Sequence, residues 1–107
     1  MLGMRAETLK GHLDVLVLAA LRDAPAHGYV VIQELKRRSE GAFELAEGTV
    51  YPVLHRLEAE GLLASAWSVV GGRRRRVYRL TRRGSAALGT REAEWRQFAA
   101  AVEAVLA

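Results

Sequence analysis

Half of the fourteen arginines in this 107-residue chain fall within the eleven residues from Arg73 to Arg83, four of them consecutively at Arg73, Arg74, Arg75 and Arg76. Adjacent guanidiniums repel one another, so such a run usually faces an anionic partner; the alternative is a solvated basic turn. The formal charge is +4 and the pI about 10.1, above the value of about 9 that points to a nucleic-acid surface. Reactive groups are scarce by comparison. His12, His27 and His55 stand far apart, and none has a histidine or carboxylate four residues further on, the spacing of a helical zinc site. They read as surface or helix-terminal histidines. No glycine-rich phosphate loop, nucleophile elbow or paired carboxylates occur, and there is no cysteine. Catalysis is not expected, nor are disulfides, metal sites or cofactors.

The elements that must position the arginines follow from periodicity. A first helix is expected from about Lys10 to Arg22, apolar around most of its circumference and stopped by Asp23-Ala24-Pro25. A second is expected from about His27 to Ser39. Val31, Ile32 and Leu35 share one face with Gly28, and Gly41 is the expected left-handed cap. The third, from Gly48 or Thr49 to just before Gly61, carries Val50, Val53, Leu54 and Leu57 at the i, i+3, i+4, i+7 spacing of a core stripe. With Thr49 as N-cap, Pro52 falls in the first turn, where its missing N–H costs nothing. After Gly61 the period changes. Leu62–Val70 and Arg76–Leu80 read as strands joined at Gly71-Gly72, with Arg73–Arg76 at and after the tip. Thr81 can cap a last helix running from Arg82 towards Ala107, its early part weakened by Gly84 and Gly89.

The expected fold is therefore mainly α with a small β-hairpin: three helices, a two-stranded wing and a C-terminal helix. That order is a winged helix-turn-helix, with a DNA-binding domain over residues 1–81 and a dimerisation helix over 82–107. The third helix would present Thr49, Tyr51, Pro52, His55 and Arg56 to base edges, with the arginines of the wing on phosphates. Taken alone, the third helix could equally be a solvated face. The last helix carries a near-heptad seam of Leu88, Trp95, Phe98, Val102 and Val105, interrupted by Arg91. It either folds back on its own subunit or meets a second copy. The first three helices satisfy one another and leave the seam over, which favours the second copy. Trp95 is either an interface anchor or the wall of a ligand pocket.

The N-terminal segment, with Arg5, Glu7 and Lys10 ahead of any apolar run, does not read as a signal peptide. The longest apolar run, Val15–Leu21, is far short of the ~20 residues that span a bilayer. No membrane association is expected, and the absence of cysteine is compatible with a reducing cytoplasm.

Four segments, LKGHLDVLVLAAL, APAHGYVVIQEL, EGTVYPVLHRLEAEGLL and GGRRRRVYRLTRRG, resemble the PadR-like regulators along nearly the whole chain. Thr49, Tyr51, Pro52, Leu54, Arg56, Leu57, Glu58 and Gly61 carry the resemblance most specifically, followed by Tyr78, Leu80, Thr81 and Gly84. The resemblance implies a homodimeric winged-helix regulator, usually a repressor, on a short inverted repeat of double-stranded DNA. The single C-terminal helix is similar to that of a short-tailed branch whose members sense aromatic or multidrug compounds. It implies an effector near Trp95, Phe98 and Leu18, and a dimer interface including Leu13 and the seam. It also implies phosphate contacts from His27, Gly28 and Tyr29. A protein-docking winged helix would show an acidic or apolar third-helix face and a neutral wing, and this chain has neither. An RNA-binding winged helix fits the charge equally well.

Overall fold

A computed structural model describes residues 12–107, so the expected start of the first helix at Lys10 and the N-terminal segment lie outside the described residues. Four helices and a two-stranded hairpin follow in the expected order, with one further short strand between the first two helices. Helix α1 (Leu13–Ala20) buries Val17, Leu18 and Ala20, and closes on Leu21 through a hydrogen bond from the Leu21 N–H to the Leu18 carbonyl. It ends two residues before the expected Arg22.

Strand β1 (Ala26–His27), which the sequence reading missed, precedes α2 (Gly28–Arg38). It pairs antiparallel with Tyr78 and Val77. Two residues have no readable periodicity, and the pairing partner lies some fifty residues away. His27 therefore closes a strand as well as standing at the N-cap of α2.

At the end of α2 Gly41 is left-handed as expected (φ 87°), and Glu40 before it is left-handed as well (φ 53°). Glu40 N–H reaches the Arg37 carbonyl and Gly41 N–H the Lys36 carbonyl at 2.8 Å, the paired bonds of a Schellman motif.

Helix α3 (Glu47–Ala59) buries Val50, Val53, Leu54 and Leu57, the expected stripe. It starts earlier than expected, with Ala46 rather than Thr49 as N-cap, so Pro52 sits in the second turn. There its missing N–H forfeits the bond that residue 52 would otherwise make to the Gly48 carbonyl. Gly61 (φ 80°) ends the helix in a second Schellman motif, with Leu62 N–H on the Leu57 carbonyl.

Strands β2 (Leu63–Val70) and β3 (Arg73–Leu80) form the hairpin, and the sheet order is β1-β3-β2. Gly71 and Gly72, at φ 61° and 76°, make the two-residue turn, a conformation that glycine adopts without steric cost. Arg73–Arg76 are consequently strand residues rather than a flexible tip. Helix α4 (Arg82–Leu106) starts on Thr81, whose Oγ1 accepts from Gly84 N–H at 3.0 Å and donates to the Gly61 carbonyl at 2.7 Å. Gly84 is required by packing: a Cβ there would lie 1.9 Å from the Leu62 carbonyl oxygen.

The core joins α1, α2, α3, the sheet and the first turns of α4. Leu18 and Leu88 both belong to it, at 0% and 3% exposure. Neither can therefore serve the role expected of it, Leu18 as an effector contact or Leu88 as part of an intersubunit seam. Leu13 is half-buried against the same core. Beyond Leu88, no α4 residue is buried.

Candidate nucleic-acid interface

Helix α3 and the hairpin bound a 300 Å³ cleft lined by His27, Gly28, Tyr51, His55, Trp67, Arg74, Arg75, Arg76 and Tyr78. Tyr51 is fixed by the absence of a side chain opposite it: a Cβ on Gly28 would lie 2.5 Å from its ring. The ring is half-buried there, its centroid 6.5 Å from that of His55, which is exposed one turn on. Pro52 is exposed on the same helix and Thr49 half-buried. Thus His27, Tyr51, His55 and Arg74–Arg76, widely separated in sequence, share one concave surface.

Three expected residues stand apart. Tyr29 is 48% exposed and stacks on His27 at 6.5 Å, but it lines a separate groove with Ile32, Lys36 and Leu45. Arg73 is exposed at the hairpin end, paired across the strands with Val70. Arg56 is turned away from the cleft. Its guanidinium binds Asp14 of α1, with one contact at 3.1 Å, and Glu60 at 3.2 Å. Arg91 of α4 reaches the same Asp14 carboxylate at 2.9 Å. This accounts for its interruption of the apolar seam: it serves its own subunit.

Strand alternation divides the arginines. Trp67 pairs across the ladder with Arg76, and Val69 with Arg74, so these four side chains share a face. Arg73 and Arg75 point to the other. On the first face the Arg74 guanidinium lies 4.5 Å and that of Arg76 5.4 Å from the Trp67 ring centroid. Arg76 also approaches Glu58 of α3 at 3.6 Å, and Glu58 accepts from the Ser65 hydroxyl at 2.6 Å. On the second face, His27 is held below the usual histidine range, first by burial and then by the Arg75 charge. Sequence reasoning missed Trp67, Glu58 and Asp14. Only for Trp67 was there a signal, its place on a strand opposite the arginine run.

Outside the cleft, Trp95, Phe98, Val102, Val105 and Leu106 are exposed along the outer part of α4. Trp95 meets His12 edge-on at 5.2 Å and Phe98 at 6.0 Å. A 420 Å³ cavity there is lined by His12, Asp14, Val15, Arg91, Glu94, Trp95 and Phe98. Among the described residues no cluster of histidine and carboxylate ligands could hold a metal ion, and no helix is long and apolar enough to cross a membrane.

Residues 17–90 match the model of the Transcriptional regulator PadR-like family. A transcriptional regulator of Mycobacterium tuberculosis is 50% identical over 72 residues, which cover 67% of this chain and 64% of that protein. A PadR family transcriptional regulator from Eggerthella lenta is 37% identical and superposes with a TM-score of 0.80, covering 94% of this chain and 86% of the other. A PadR-like transcription factor from Bacteroides fragilis is 33% identical with a TM-score of 0.76, covering 94% and 95%.

Proposed function

Because this chain belongs to the PadR-like family of transcriptional regulators, we propose that it is a cytoplasmic repressor that binds a short inverted repeat in double-stranded DNA as a homodimer. The observation that carries this reading is the shared concave surface. Tyr51 and His55 of α3 stand beside three arginines of the hairpin. Tyr51, His55, Pro52 and Thr49 approach base edges; Arg74, Arg75 and Arg76, with His27 and Tyr29, hold phosphates. Arg73 extends the basic strip along the hairpin.

Dimerisation falls to Trp95, Phe98, Val102 and Val105, with Leu13 behind them. The exposed apolar side chains of α4 would otherwise make a patch of the kind small monomers avoid. Two α3 helices held about 34 Å apart would enter successive major grooves of one duplex face. A small hydrophobic or aromatic effector would enter between Trp95 and Phe98, change that spacing and release the DNA. The cavity beside those rings supports this part of the reading.

Fluorescence anisotropy with a labelled genomic duplex and with an RNA duplex of the same sequence tests the nucleic-acid assignment. DNA is expected to bind at least tenfold more tightly at the same salt concentration. Equal affinity, or preference for RNA, would remove the regulatory reading.

A further inference from the structure

The hairpin carries an exposed tryptophan on the face that bounds the cleft. Trp67 is 55% exposed on a strand whose neighbouring residues, Ala66 and Ser68, are small and also exposed. What does meet its ring is charge, the guanidiniums of Arg74 and Arg76 at 4.5 and 5.4 Å from the ring centroid. These two arginines are next-but-one neighbours on the same face of β3, where like charges repel. The face of an indole carries negative quadrupole density and attracts guanidinium. Arg76 is held from a second side by Glu58, itself fixed by Ser65.

We infer that Trp67 is a positioning residue, which holds Arg74 and Arg76 on the α3-facing side of the wing so that both reach phosphates together. Long arginine side chains lose considerable rotamer entropy when fixed. Stacking them before DNA arrives removes part of that cost from the binding step. Arg73 and Arg75, on the opposite face, are outside this arrangement and depend on Trp67 for nothing. The inference rests on the DNA-binding reading and adds an order among the four arginines that their consecutive positions conceal.

The test is the salt dependence of duplex binding. Each phosphate contact contributes about 0.9 to the slope of log K against log salt. Trp67→Ala removes no charge, yet it is expected to lower the slope by about 0.9 to 1.8, the loss of one or both stacked arginines. Trp67→Phe, which keeps an aromatic face, is expected to retain the wild-type slope. Arg74→Gln with Arg76→Gln sets the reference for losing both contacts. A slope unchanged in Trp67→Ala overturns the inference. If affinity falls nevertheless, Trp67 touches DNA itself; if it does not, the ring is idle.

A second measurement needs no alanine variant to fold. Adding duplex should change the intrinsic fluorescence of the wild type, and Trp67→Phe, which retains Trp95 alone, should lose that change. A fluorescence change that persists in Trp67→Phe contradicts the inference. Absence of salt-dependent duplex binding by the wild type is a separate result, and strikes the DNA-binding reading instead.

Discussion

The Arg56 guanidinium of α3 is bound to the Asp14 carboxylate of α1, forty-two residues earlier in the chain. Arg91 of α4 shares that carboxylate, so one side chain joins the helix that would read DNA to the helix that would join subunits. Asp14 is held below the usual carboxylate range, chiefly by the hydrogen bond from Arg56, with Arg91 adding to it against the opposing effect of burial.

Removing that carboxylate leaves two arginines facing each other. Asp14→Ala is expected to destabilise the fold by about 1–2 kcal/mol, the scale of a part-exposed charged hydrogen-bond network. Urea unfolding measures it. The pH dependence has a definite sign, because a folded-state pKa below the unfolded one means that the unfolded chain binds more protons. The contribution is complete above the ordinary value of 3.8 and is lost as pH falls through the depressed folded value. The stability difference between wild type and Asp14→Asn should therefore shrink on acidification.

Two glycines of α4 that look alike in sequence should respond oppositely to alanine. At Gly84 the new methyl would collide with the Leu62 carbonyl, and a loss of about 1–3 kcal/mol is expected from overpacking. At Gly89 nothing lies within 4 Å, and the variant should gain about 0.4–1 kcal/mol from reduced unfolded-state entropy and better helix propensity. Thermal unfolding of the two variants provides the comparison.

That pair also marks where sequence reading ran out. The stripe Val50, Val53, Leu54, Leu57, the Gly71-Gly72 turn and the Thr81 cap were legible because each is set by residues within a few positions. Gly84 was read as a weak helix residue, since its reason, a carbonyl twenty-two positions earlier, is visible only after folding. The same holds for β1 and for Arg56. Arg56 lies on the polar side of α3, and periodicity cannot distinguish a polar residue facing DNA from one facing an aspartate on another helix. Leu88 fitted the heptad spacing of the outer seam, but the helix begins against the core and leaves it only afterwards. The arginine run was recognised as a cationic wing, whereas its division into two faces needed the strand register.

Tyr51 and Arg56 should now separate in binding experiments. Tyr51→Ala is expected to cost roughly 1–3 kcal/mol on the operator and less on unrelated duplex, as for a residue at base edges. Arg56→Ala should lower stability and leave the ratio of the two affinities unchanged, because its charge is already satisfied by Asp14 and Glu60. Parallel titrations on the two duplexes distinguish the outcomes.

Phe98 and Val102 are 59% and 38% exposed on the outer part of α4. Burial against a second copy would contribute about 1.5–3 kcal/mol for each large apolar side chain. The double variant Phe98→Asp, Val102→Asp should sediment as a monomer at micromolar concentration and lose most operator affinity. A fully dimeric double variant would place the interface elsewhere.

The central claim, that the cleft between α3 and the hairpin reads DNA sequence on behalf of a dimer, is tested most directly by recovering the fragments this protein retains from a sheared genomic pool. The account predicts enrichment of a few fragments sharing a short inverted repeat, with half-site centres one helical turn (about 34 Å) apart. Fragments retained without any common sequence would contradict it.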